Sequence, residues 1–124
     1  MRAPPSRLIA ALALASCASR SDPPGPDFVL PCDVAAVLQD VCQHCHTSPP
    51  QNGAPFPLLT GNDTQAPFDP PYDNTPIWQV MGAAVDAGVM PPPDGGVDIS
   101  QAEREVIIDW AAAGAPEGDG GVCP

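Results

Sequence analysis

Lysine is missing altogether from this chain, and arginine occurs only four times. Against 15 aspartates and glutamates this leaves a formal charge of -11. A surface of that sign repels phosphate backbones, which excludes nucleic acid as a partner. Aromatic residues are scarce as well, with three Phe, two Trp and one Tyr among 124 residues. Hydrophobic residues make up 44%, but many are alanines. A domain of this size buries little surface and needs help from a cross-link or a bound apolar group. The longest apolar stretch, Leu8 to Ala15, is far too short to span a bilayer as a mature helix. Histidine occurs twice, at 44 and 46. There is no serine–histidine–acid set, and the carboxylates are scattered, so no catalytic activity is expected.

Proline (19) and glycine (11) are abundant, and they cluster between periodic segments. This patterning implies a few short helices joined by stiff loops. Asp33 is a suitable N-cap, and Val34, Val37, Leu38 and Val41 follow at helical spacing, predicting a helix from Val34 to His46. Thr75-Pro76 opens a second helix, Pro76 to Ala87, with Ile77, Val80, Met81 and Ala84 on one face and Gly88 as its stop. Ser100 and Glu103 form a capping box for a third, Gln101 to Ala113. Its buried face is Val106, Ile107, Trp110 and Ala113, and Gly114 and Pro116 end it. Thr47 to Asp73 reads as one long loop whose single apolar piece is Gly53 to Leu59.

The N-terminus reads as targeting. Arg2 and Arg7 precede the apolar run, and Leu14-Ala15-Ser16-Cys17 resembles the lipobox of bacterial lipoproteins, which implies lipid on Cys17. Ordinary secretory cleavage near Ala15 or Ala18 is the alternative. Residues 1–16 are thus expected to be a signal peptide, 17–31 a proline-rich tether and 32–124 the folded domain. Either cleavage puts the chain outside the cytoplasm, in the bacterial cell envelope, where disulfides persist. From Cys17 onward two arginines face 15 acids, a charge near -13.

Cys42-Gln43-His44-Cys45-His46 is the run around which the chain is organised. C-x-x-C-H is the attachment signature of haem c. Two thiols three positions apart can add to two vinyl groups of one porphyrin, and the final histidine then lies under the iron. A zinc site would need further ligands, and no second C-x-x-C exists. A dithiol redox motif needs βαβ surroundings that the pattern lacks. His46 is the expected proximal ligand and His44 an exposed bystander. Met90, on the stiff Met90-Pro91-Pro92-Pro93 loop, is the expected distal ligand. The competing Met81 sits inside a helix pattern and reads as core.

Five cysteines resolve as one for lipid, two for haem, and a Cys32–Cys123 disulfide. Such a bridge closes about 90 residues and contributes ~4 kcal/mol on the chain-entropy account. Two free or intermolecular thiols are the alternative.

With these parts the chain resembles the class I, monohaem c-type cytochrome domain over residues 32–116. One departure is that the first helix runs straight into the haem motif. The resemblance implies an all-α fold of three to four short helices with long loops wrapped around one covalent haem. It further implies that a proline carbonyl, of Pro55 or Pro57, accepts from the second nitrogen of His46. Leu58, Leu59, Trp78 and Trp110 are expected to pack near the haem. The implied role is one-electron transfer with redox partners whose docking face is basic or neutral, the protein acting alone or as a subunit of a larger complex. Two alternatives stand beside it: a ligand-sensing haem protein with a labile Met90, and an accessory lipoprotein whose motif is unused.

Overall fold

In a computed structural model, residues 27–124 are described. The expected signal peptide, Cys17 and most of the tether lie outside them. Four α-helices and one small hairpin follow in the order α1 (Cys32–Asp40), a 3-10 turn (Cys42–His44), α2 (Gly61–Gln65), β1 (Pro67–Asp69), β2 (Asp73–Pro76), α3 (Ile77–Asp86) and α4 (Gln101–Ala112). The result is a small, mostly helical domain consistent with a cytochrome c-like fold.

α1 buries Val34, Val37 and Leu38, the stripe its spacing dictates. Pro31, in extended conformation, is its N-cap. Asp33 is instead a first-turn acid whose carboxylate accepts from the Val34 amide at 2.8 Å. The helix also stops before the haem motif. At Val41 the chain tightens into the 3-10 turn, with the Cys45 and His46 amides both donating to the Cys42 carbonyl. Apolar spacing does not distinguish one more α turn from a 3-10 turn, which explains the overlong expectation.

α3 and α4 pack most extensively on each other, and α1 packs on α4. Leu38, Leu58 and Ile107 are the largest apolar side chains fully removed from solvent, each contributing about 1.5–3 kcal/mol of burial. Met81 is core. At Gly82 a Cβ would collide with that of Ala111, so the α3–α4 approach depends on a missing side chain. Ser100 caps α4 by accepting from the Glu103 amide, and the Glu103 carboxylate returns to the Ser100 amide at 2.8 Å.

α3 and α4 end the same way. Gly88 and Gly114 take positive φ, at 72° and 84°. The Gly88 amide donates to Val85 and the Val89 amide to Ala84, as the Gly114 amide does to Ala111 and the Ala115 amide to Trp110. Both are Schellman motifs, which satisfy the last carbonyls and turn the chain back over the helix.

Two segments depart from expectation. The long loop contains α2, closed by a Thr60–Asp63 capping box, and an antiparallel hairpin pairing Pro67 with Pro76 and Asp69 with Asp73. Phe28 to Leu30 belongs to the packed unit, not to the tether. The Phe28 amide donates to Asn62 Oδ1 at 2.8 Å, the Gly118 amide donates to the Val29 carbonyl at 2.9 Å, and Phe28 and Leu30 pack on the core. The tail is secured next to it: Cys32 and Cys123 form a disulfide with Cα atoms 5.3 Å apart.

Candidate functional site

The Cys42–His46 run gathers its partners from the loop that follows it. Leu58 donates its amide to the His46 carbonyl at 2.8 Å, and Gln43 Nε2 donates to the Leu58 carbonyl at 3.0 Å. Between these two bonds the His46 ring Nδ1–H donates to the Phe56 carbonyl at 2.9 Å. Three bonds therefore fix the segment 56–58 against the motif. Leu58 anchors it by inserting into the core, while His46 is only 9% exposed.

The expected acceptor for His46 was a proline. The carbonyl belongs to Phe56, lying between Pro55 and Pro57, neither of which supplies it. The fixed φ of the prolines still shapes this stretch, and Phe56 adds a ring contact, its centroid 5.0 Å from that of His46. With Nδ1 occupied, the imidazole tautomer is set, and Nε2 has no hydrogen-bond partner among the described residues.

Cys42 and Cys45 are free thiols. Cys42 is packed against the core, and that burial, with the Glu103 carboxylate nearby, pushes its thiol up to about 11. Asn52, at a positive φ of 52°, donates Nδ2–H to the Cys45 sulfur at 3.5 Å. His44 is exposed, its ring Nε2–H donating to the Asp40 carbonyl at 3.1 Å. Among the described residues no three His, Cys, Asp or Glu side chains come together in a group that could hold a metal ion.

The remaining expected residues divide. Met90 is half-buried against the core, and its amide donates to Ala84 at 3.1 Å, just beyond the Schellman turn of α3. Trp110 is core, with Nε1 donating to the Pro116 carbonyl at 2.9 Å. Trp78 is half-buried against the same core. Leu59, by contrast, is 44% exposed and no part of the protein's own core; only Leu58 of that pair is. Phe56, Gln43 and Asn52 were not singled out by sequence. Phe56 had a legible signal, being the one aromatic inside the loop's apolar piece.

The residues present fit a covalent haem. Two unpaired thiols stand at the required spacing, and a buried histidine has one ring nitrogen braced by a backbone carbonyl and the other left over. Comparison with models of protein families, with curated proteins and with solved structures finds no match for this chain. What stands is therefore the site itself: a small helical domain whose Cys42-x-x-Cys45-His46 motif is consistent with c-type haem attachment.

Proposed function

We propose that this protein is an exported one-electron carrier that would hold a single haem c through Cys42 and Cys45, with His46 and Met90 supplying the ligands to its iron. The observation that carries this reading is the His46 ring, braced at Nδ1 by Phe56 and placed directly after Cys45 in a run whose Cys42 and Cys45 thiols are free. Haem supplies the one-electron iron couple; the protein supplies attachment, ligation and surroundings. His46 would hold the iron through its other ring nitrogen, the ring being oriented by the Phe56 carbonyl. Met90 would offer a weak neutral sulfur, a ligand type that favours reduced iron. Two protein ligands leave no open position for a substrate, which suits a carrier and not an enzyme. A lipid on Cys17 would hold the domain at the envelope membrane, and its acidic surface suits partners with basic or neutral faces.

The deciding experiment is a redox-titrated visible spectrum of the mature protein made with haem-maturation machinery. A low-spin haem c spectrum with the far-red band of a methionine–ferric bond supports the proposal. A haem that lacks that band and binds carbon monoxide readily points to ligand sensing. No haem stain on a denaturing gel points to an unused motif. Fatty-acid labelling that disappears in Cys17→Ala tests the anchor.

A further inference from the structure

The hairpin that sequence read as loop is joined to the motif by a file of aromatic rings. The His46 and Phe56 rings stand 5.0 Å apart, and the Phe56 and Phe68 rings 6.0 Å apart, edge to face. The file starts at a buried histidine and ends on β1, where Phe68 is 36% exposed. Tyr72 closes the hairpin turn, its amide donating to the Asp69 carbonyl at 2.8 Å, and is 88% exposed. A chain this short of aromatics thus sets two of them on one hairpin, Phe68 on β1 and Tyr72 in the turn. Asp69 and Asp73 flank them, and Pro67, Pro70, Pro71 and Pro76 remove amide donors, which discourages a partner from adding a strand. Contact through side chains is what remains.

Resting on the electron-carrier reading, we propose that the β1–β2 hairpin is the docking face for redox partner proteins whose contact patch is apolar and ringed by lysine or arginine, with Phe56 and Phe68 coupling that face to His46. Aromatic anchors at the centre and charges at the rim are the usual division of labour in such contacts. The rim supplies steering, since the chain from Cys17 onward carries a charge near -13. The transfer would be outer-sphere: the one electron given up by the partner's redox centre would be taken up by the bound haem, with no bond or proton moving.

The test uses nitrogen-15-labelled holoprotein titrated with a helical peptide that presents a leucine patch ringed by lysines. Saturable shifts at the amides of Phe56, Phe68, Asp69, Tyr72, Asp73 and Asn74 are expected, weakened about tenfold by Phe68→Ser combined with Tyr72→Ser. Asp69→Asn with Asp73→Asn should flatten the salt dependence. In parallel, a ruthenium complex attached at Tyr72→His should reduce the haem more slowly once Phe68→Leu is added, while the same complex at Gln79→His keeps its rate. Shifts centred instead on the α1–α4 cleft of Asp33, Glu105 and Asp109 overturn the proposal. So do the absence of saturable shifts and a rate from position 72 that ignores Phe68→Leu. A starting protein without haem absorption overturns the carrier reading beneath it.

Discussion

His46 is tied through Nδ1 to the backbone oxygen of Phe56, 2.9 Å away, and no side-chain substitution at 56 can remove that acceptor. The ring N–H should therefore exchange slowly with solvent in the holoprotein, observable as a persistent imidazole proton in nuclear magnetic resonance. Phe56→Leu should keep it. Gln43→Ala, which frees the Leu58 carbonyl, should speed the exchange without abolishing haem attachment.

Met90 follows the Schellman turn of α3, and its amide bond to the Ala84 carbonyl does not involve its side chain. Met90→Ala is expected to leave the thioether-linked haem in place, lower the reduction potential and open the iron to carbon monoxide. An unchanged potential with no carbon monoxide binding would remove Met90 from the ligand set.

Gly82 sits where α3 and α4 touch, with the Ala111 Cβ in the space a side chain would need. Gly82→Val should lower stability by about 1–3 kcal/mol, the range for overpacking a tight contact. Gly88→Val should also destabilise, but through positive φ and not through collision. Urea midpoints compared with and without a compensating Ala111→Gly separate the two, since only the first should be rescued.

The Cys32–Cys123 bridge spans 91 positions. Cys32→Ser combined with Cys123→Ser should reduce the stability of the holoprotein by ~4 kcal/mol on the chain-entropy account. Alkylation of the mature holoprotein without reduction should find neither thiol free.

In the free protein the Cys42 thiol is held up at about 11 by burial and by Glu103. The unfolded chain releases this proton near the ordinary thiol value, so the folded state binds it more tightly. Stability contributed by the neutral thiol is present below the unfolded value and declines as pH rises between the two. Iodoacetamide should accordingly modify Cys42 slowly at mildly alkaline pH. Glu103→Gln should speed the reaction, although burial, the larger cause, will still hold it back.

The parts legible in the sequence are those whose signals are local. Ser100 and Glu103 announce α4 three residues apart, Gly88 and Gly114 mark two helix ends, and the haem motif is contiguous. What escaped depends on distant neighbours. α2 is five residues long, too short to show a period, and its Gly61 is specified by the Phe28 carbonyl lying against it. The hairpin is dense in prolines, which on sequence rules argue against a strand. The His46 acceptor was misassigned by one residue because every residue of Pro55-Phe56-Pro57 carries a carbonyl, and only the path of the chain selects among them.

Arg104 donates to the Val85 carbonyl near the end of α3, and it is the one Lys or Arg residue from position 27 onward. The domain therefore offers trypsin a single bond, inside a helix, with the recognition side chain already engaged. It offers amine-directed reagents no lysine at all. Such a molecule would be nearly invisible to the two commonest ways of fragmenting and tagging proteins. Its terminal disulfide would hold even the two products of that one cut together until reduction.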